Sequence, residues 1–301
     1  MKILITGAWA ASREDLEAIR GMGHEIFFLP QEKDPLPCSY EDIEGCICNG
    51  LFLYHPIEKF KSLHYIQLTS AGFDRVPLDY VNAHKIEIHN AHGVYSIPMA
   101  EFAISGVLQL YKQSGFFRDN QQKHCWEKHR GLRELFGKTV CIVGCGSVGT
   151  ECANRFAAFG CEIIGVDIGP VHNPIFKRIE LLETLETLLP QVDILILSVP
   201  LNNQTNHLIN ASRITKMKSD AILVNISRGA VIDEKALIEW LEDAPKAGAI
   251  LDVFESEPLP KTNPLWEKPN VLITPHNSFV GEKNNNRFSS IVITNLIIPK
   301  V

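Results

Sequence analysis

The feature that most constrains this 301-residue sequence is a short run in mid-chain. Val140-Cys141-Ile142-Val143 leads directly into Gly144-Cys145-Gly146-Ser147-Val148-Gly149, and the residues that follow read as a helix. A G-x-G-x-x-G run alone is a weak signal. Here it has the context that gives it meaning: a strand before, a helix after and an acid, Asp167, about 20 residues on. Gly144 permits the tight turn, Gly146 leaves the backbone open to a pyrophosphate, and Gly149 lets helix and strand pack closely. The helix start, with Ser147 and Val148, offers N–H groups and the positive end of a dipole to phosphates. Asp167 ends the apolar run Ile163-Ile164-Gly165-Val166, where a carboxylate accepts from ribose hydroxyls and repels a 2′-phosphate. No Arg or Lys follows until Lys177, so the expected cofactor is NAD rather than NADP.

At roughly 100–200 residues per domain, the length suggests about two domains. Strands are expected at Lys2–Thr6, Glu25–Leu29, Cys46–Cys48, Tyr65–Thr69 and Ile86–His89. A helix capped by Ser12, with Asp15 three residues on, runs to Arg20. Met99, Phe102, Ala103, Gly106, Val107 and Leu110 recur at helical spacing within Pro98–Gln113, which reads as one long helix. Ser114 to Arg133 is polar and reads as a surface connection. A second pattern follows: strands at Thr139–Val143, Glu162–Asp167, Ile194–Ser198, Ala221–Asn225, Ala249–Leu251 and Val271–Ile273, with a helix over Gly149–Phe159. Glu282 to Ile298 reads as a closing helix with Phe288, Ile291, Val292, Asn295 and Leu296 on one face. Alternating strands and helices predict an α/β chain with two doubly wound parallel sheets.

Composition narrows the function. Lys plus Arg is 29 and Asp plus Glu 35, a net charge of −6 with no basic run, which speaks against nucleic-acid binding. No window approaches the ~18 consecutive apolar residues of a membrane helix. Met1 to Ala10 faintly resembles a signal peptide, but a buried first strand ending in a glycine turn accounts for it better. The eight cysteines are sparse and several lie in apolar runs, so they read as reduced core residues of a cytoplasmic protein. His124, Cys125 and His129 lack a fourth ligand at zinc spacing, so no metal site is expected.

Further segments carry a resemblance. These are Leu68-Thr69-Ser70-Ala71-Gly72-Phe73-Asp74, Gly93 to Glu101, Ser198-Val199-Pro200-Leu201 through Thr205, and Asn225-Ile226-Ser227-Arg228-Gly229. Asp252-Val253-Phe254-Glu255-Ser256-Glu257-Pro258 and Thr274-Pro275-His276 complete the set. In this order and spacing the chain resembles the D-isomer-specific 2-hydroxyacid dehydrogenase family over nearly its whole length. The resemblance implies a Rossmann NAD domain, residues 99–278, inserted into a flavodoxin-like substrate domain, residues 1–98 plus 279–301, with the active site in the cleft between them. His276 is then the acid/base, its ordinary pKa of about 6.5 suiting proton exchange at neutral pH. Glu257 is its carboxylate partner, and Arg228 the guanidinium fork for substrate carboxylate and keto oxygen. Ala71 and Gly72 add amide donors. Asp252 holds the nicotinamide carboxamide, and Val199, Thr205 and Ile226 line the cofactor groove. Gly131 to Gly137 and the Ser114 region are expected to act as a hinge cover. Tyr95 and Phe279 resemble residues that flank a small apolar substrate side chain in lactate-type members, while simple aromatic packing explains them equally. The expected activity is interconversion of a D-2-hydroxy acid and its 2-keto acid. Arg75 keeps a phosphorylated hydroxy acid open as substrate, and a non-enzymatic NAD sensor or corepressor is the other reading. A homodimer is expected, with the Met99 to Leu110 helix as one source of contact. Ending at Val301, the closing helix is expected to be shorter than the family's.

Overall fold

The computed structural model describes residues 1–297. The chain divides into two compact units, Met1–Tyr95 with the segment from Gly281, and Ser96–Val280.

The first unit opens with β1 (Lys2–Thr6), α1 (Arg13–Gly21) and β2 (Glu25–Leu29), followed by β3 (Gly45–Cys48), β4 (Tyr65–Leu68), α2 (Leu78–Ala83) and β5 (Glu87–His89). Its five strands are all parallel, in the order β2-β1-β3-β4-β5, the flavodoxin-like arrangement. The predicted cap on α1 is present: Ser12 Oγ accepts the Asp15 amide at 3.1 Å, and the Asp15 carboxylate accepts the Ser12 amide at 2.9 Å. Strand residues alternate between two apolar layers. Ile3 and Ile5 join Trp9 and Ile19 on one face, while Leu4 joins Cys46, Ile66 and Leu68 on the other. A strand covered on both faces has no polar side, which is why these runs are continuously apolar.

The second unit begins with α3 (Ser96–Tyr111) and α4 (Ser114–Gln122). It continues through β6 (Thr139–Val143), α5 (Ser147–Ala158), β7 (Glu162–Asp167), β8 (Arg178–Leu181) and α6 (Leu185–Leu188). Next come β9 (Ile194–Leu197), α7 (Ala211–Ile214), β10 (Ile222–Asn225), α8 (Glu234–Asp243), β11 (Gly248–Leu251) and β12 (Val271–Ile273). The seven-stranded sheet is parallel throughout, β12-β11-β10-β9-β6-β7-β8. Ile194 and Ile196 face α3 and α5, whose Ala100, Ala103, Val107 and Phe156 share their layer. Leu195 and Leu197 face α8 through Leu237 and Trp240. The strand order reverses between β6 and β9, the place where doubly wound sheets hold ligands beyond their carboxyl ends. The last helix, α9 (Asn284–Ile297), places Phe288 and Val292 in the first unit's core, with Trp9 and Phe288 in edge contact at 5.6 Å.

The sequence reading leaves several elements unassigned, among them α4, β8 and α8. Residues 114–122 form a helix rather than a plain connection; no residue of α4 is buried, so no apolar stripe announced it. β8 has no fully buried residue and carries Arg178 and Glu180, so its sequence lacks strand character. α8 was absent from the reading although Ala236, Leu237, Trp240 and Leu241 line one side of it. The expected end of the closing helix at Ile298 lies outside the described residues. Among the described residues no helix is long and apolar enough to cross a membrane.

Candidate active site

The turn after β6 is built for close backbone approach. Gly144 takes φ 95°, and a β-carbon there would meet the Ser198 carbonyl oxygen at 2.7 Å. A β-carbon on Gly149 would meet the Gly144 oxygen at 1.9 Å. Gly146 differs: a β-carbon there would meet no protein atom within 4 Å, so the space above it is open. α5 starts beside that space with no side-chain cap and no acid in its first turn. Its leading amides, from Ser147 to Gly149, are therefore donors for a phosphate. Asp167 is half-buried; Oδ2 accepts the Cys145 amide and Oδ1 the Ile168 amide, each at 2.7 Å. A carboxylate has about four acceptor positions, so two are left for hydroxyl donors. Open space over glycine, uncapped amides and a fixed carboxylate fit a nicotinamide dinucleotide. Cys145, inside the motif, is inert: burial, with the Asp167 charge adding to it, pushes its thiol up to about 12.

The loop after β9 lies against this turn, with Val199 Cγ1 3.0 Å from where a Gly144 β-carbon would stand. Thr205 is buried, and its hydroxyl donates to the Pro200 carbonyl at 2.6 Å and accepts the Asn202 amide at 2.8 Å, so its polar group holds the loop's shape. Val199 and Ile226 are buried and belong to the two apolar layers of the unit.

His276 follows β12, and its Nδ1 lies 2.9 Å from Glu257 Oε2. Glu257 Oε1 accepts the Phe254 amide at 3.0 Å, so the carboxylate is itself oriented with one oxygen turned to the imidazole. His276 takes φ 50°, a left-handed conformation that costs a non-glycine residue about 1–2 kcal/mol. Asp252 sustains it. The Asp252 carbonyl accepts the His276 amide at 2.8 Å. Its side chain, 1 % exposed, accepts Thr274 Oγ1 and the Asn277 amide on Oδ1, both at 2.7 Å, and the Ser278 amide on Oδ2 at 2.9 Å. The residue expected to face the cofactor thus has three of its acceptor positions engaged by the loop that carries His276. Phe279 is 40 % exposed, with its ring centroid 6.1 Å from that of His276 in an edge-to-face arrangement.

Arg228 lies in the turn after β10, with Nη1 donating to the Ser227 carbonyl at 2.8 Å. Buried Asn225 organises the turn: its Oδ1 accepts Ser227 Oγ at 2.7 Å and its Nδ2 donates to the Arg228 carbonyl at 3.0 Å. Gly229 brings this turn against the Glu257 segment, since a β-carbon there would lie 1.8 Å from the Phe254 carbonyl carbon. The structure therefore brings His276 and Glu257 into contact and fastens the Arg228 turn to the Glu257 segment.

In the first unit the Ser70-Ala71-Gly72 turn follows β4. Ser70 Oγ donates to the Gly72 carbonyl at 2.8 Å, and Asn90 Nδ2 to the Ala71 carbonyl at 2.6 Å. The carbonyls are engaged; among the described residues the Ala71 and Gly72 amides have no protein acceptor. The Tyr95 phenol donates to the Thr69 carbonyl, and burial raises its pKa. Arg75 is exposed, its Cδ lying 3.5 Å from where a Gly50 β-carbon would stand. Among the described residues no group of three or more His, Cys, Asp or Glu could hold a metal ion. Sequence reasoning placed Asn225 in a motif without giving it a role, and missed His207, which no periodicity or spacing marks.

The family described as D-isomer specific 2-hydroxyacid dehydrogenase, NAD binding domain, matches residues 104–278. The chain is 32 % identical over 283 residues to the glyoxylate reductase of Thermofilum pendens, covering 91 % of this chain and 83 % of that protein. It is 35 % identical over 239 residues to the D-3-phosphoglycerate dehydrogenase of Methanocaldococcus jannaschii, covering 78 % of this chain and 45 % of that protein. The solved structure of D-lactate dehydrogenase from Aquifex aeolicus, complexed with NAD and lactic acid, matches with a TM-score of 0.78 at 26 % identity, over 98 % of this chain and 94 % of that one.

Proposed function

Since this chain belongs to the D-isomer specific 2-hydroxyacid dehydrogenase family and is an NAD-dependent oxidoreductase interconverting a D-2-hydroxy acid and its 2-keto acid, we propose that His276 is its acid/base, Glu257 the partner of that imidazole and Arg228 the substrate clamp. The observation that carries this is the 2.9 Å contact between His276 and Glu257 on a loop anchored by Asp252. Reduction of a 2-keto acid needs a hydride at C2 and a proton at the carbonyl oxygen. Bound NADH supplies the hydride. His276, with Nδ1 committed to Glu257, presents Nε2 to deliver the proton, and takes it back in the oxidation direction. Arg228 binds the carboxylate and polarises the keto oxygen, a role for which a planar fork suits and Lys does not. The amides of Ala71 and Gly72 are the further donors for that carboxylate. Phe279 and Tyr95 flank a small side chain at C3. Asp167 selects NADH over NADPH.

The test is NADH oxidation with a panel of glyoxylate, pyruvate, hydroxypyruvate and 3-phosphohydroxypyruvate. His276→Ala is expected to lower kcat by about 10²–10⁴, the usual span for a general acid. Turnover retained in that variant removes His276 from the role; no turnover of any panel acid by the parent protein favours a non-enzymatic NAD-binding role. Tighter binding of NADPH than of NADH refutes the part given to Asp167. A phosphorylated substrate is the second reading, favoured by the exposed Arg75 three residues beyond Gly72. A loss in Arg75→Ala confined to 3-phosphohydroxypyruvate supports it. The protein is further proposed to be a cytoplasmic homodimer joined through its second unit. The inner face of α3 is already packed on the sheet, and exposed Trp126 and Phe136 add apolar surface to that unit. A monomer mass in solution at micromolar concentration overturns the dimer.

A further inference from the structure

His207 stands among the loops of the second unit without belonging to any family segment singled out above. Its backbone is hooked to the Arg228 turn: the His207 amide donates to the Ala230 carbonyl at 2.7 Å, and the Ile209 amide to the Val231 carbonyl at 3.1 Å. Its imidazole reaches a different loop, with Nε2 2.9 Å from Glu255 Oε1. Glu255 lies two residues before Glu257, and its segment folds back on itself through the Phe254 amide and Glu257 Oε1 at 3.0 Å. Glu234, at the start of α8, also faces Glu255. The Glu234 amide donates to Glu255 Oε1, and the Glu255 amide to Glu234 Oε2, both at a long 3.3 Å. His207 also takes φ 47°, a backbone conformation that persists in a non-glycine residue only when its surroundings hold it. Its amide is held by the Ala230 carbonyl, and its ring lies against the Glu255 carboxylate.

We propose that His207 is a positioning residue for the acid–base pair: its imidazole straps the Glu255–Glu257 segment to the cofactor-side loop, so that Glu257 presents its free oxygen to His276. The strap joins three chain segments, the loop after β9, the Arg228 turn and the Glu257 segment. The ring supplies only the last link, because the backbone hooks to residues 230 and 231 do not depend on it. The inference rests on the reading of Glu257 and His276 as partners in proton transfer.

The experiment compares His207→Ala, His207→Gln, Glu255→Ala, Glu257→Gln and the double variant His207→Ala/Glu257→Gln in steady-state NADH oxidation with glyoxylate, with a thermal melt for each. His207→Ala is expected to lower kcat about 5- to 30-fold, within the roughly 10²-fold cost of an ångström-scale misplacement, while KM for NADH stays within about twofold. His207→Gln keeps an N–H donor for Glu255 and restores most of the rate. Glu255→Ala breaks the same link from the other side, reproduces the loss and serves if His207→Ala does not fold. On the Glu257→Gln background His207→Ala adds no further loss, because the residue it positions is already disabled. A kcat unchanged in both His207→Ala and Glu255→Ala overturns the proposal, as does a loss that multiplies with that of Glu257→Gln. Full activity of Glu257→Gln defeats the acid–base reading instead, so the two failures are separable.

Discussion

Asp252→Asn is the substitution that most directly weighs two uses of one buried carboxylate. Asp252 accepts three hydrogen bonds from the His276 loop: Thr274 Oγ1 and the Asn277 amide on one oxygen, the Ser278 amide on the other. An asparagine has one accepting oxygen and an NH₂ that cannot accept. Whichever way the amide is turned, one backbone N–H, of Asn277 or of Ser278, faces a donor. A buried donor left without an acceptor costs about 1–3 kcal/mol. The bonds that survive also lose the charge assistance that roughly doubles their strength. At about 1.4 kcal/mol per factor of ten, the loop's opening equilibrium should rise by about 5- to 150-fold. Hydrogen–deuterium exchange reads this directly as faster exchange in a peptide spanning residues 274–278, with β9 as an unchanged internal control. Because the same bonds hold His276 in its left-handed conformation, kcat should fall with it. If exchange in this peptide stays within about twofold of the parent while KM for NADH rises, Asp252 acts on the nicotinamide, as the sequence reading supposed, and the anchoring argument is wrong.

Three further outcomes follow from the same geometry. Gly229→Ala places a β-carbon 1.8 Å from the Phe254 carbonyl carbon and must push the Arg228 turn from the Glu257 segment; a kcat loss above about tenfold and a destabilisation of about 1–3 kcal/mol are expected, and unchanged kinetics with an unchanged melt refute the contact. Burial raises the thiols of Cys141, Cys145 and Cys152 to about 12 and that of Cys161 to about 11, so a thiol reagent at pH 8 should label exposed Cys125 quickly and half-buried Cys38 slowly. Rapid labelling of a third thiol in the folded protein contradicts this. Asp193 is pushed up by burial, but the Thr139 amide, Lys218 and Lys138 outweigh that and lower its pKa. A carboxyl lowered on folding contributes stability above its unfolded value of about 3.8–3.9 and loses it as pH falls through the folded value. Lys218→Met should therefore melt below the parent protein at pH 6, and the gap should close toward pH 3; a gap that widens on acidification reverses the sign.

The fold was legible where burial writes itself into residue order. Ile194-Leu195-Ile196-Leu197 is apolar at every position because alternate residues enter two different layers, and such a run admits few structures other than a covered parallel strand. The glycine turn was legible for a related reason: Gly144 and Gly149 stand where any β-carbon would strike backbone, so their positions are dictated by contact distance. α4 and β8 left no trace of this kind, since neither has a buried residue to impose a period. Asn295 shows the converse. It sits in the apolar stripe of α9 because its Nδ2 donates to Gln67 Oε1 at 2.8 Å, and Gln67 Nε2 donates in turn to the Asn90 carbonyl at 3.1 Å beside the Ala71 turn. A polar residue in a core stripe reads as a flaw until its partner, 228 positions away, is known.

The site divides along the same line. The groups proposed for the chemistry, the imidazole of His276, the guanidinium of Arg228 and the carboxylate of Glu257, are ones that short motifs could nominate by residue type. The forces that aim those groups could not, because they come from side chains of ordinary identity whose meaning is purely spatial. Asp252 acts through two amides and a hydroxyl of another loop, Asn225 through the shape of its own turn, and Gly229 through a missing atom. The left-handed backbone of His276 is the clearest case. Nothing in Thr274-Pro275-His276 asks for it, and the Asp252 that β11 delivers holds the loop through its carbonyl and carboxylate; moving that one carboxylate should disorder the loop before it alters any chemistry.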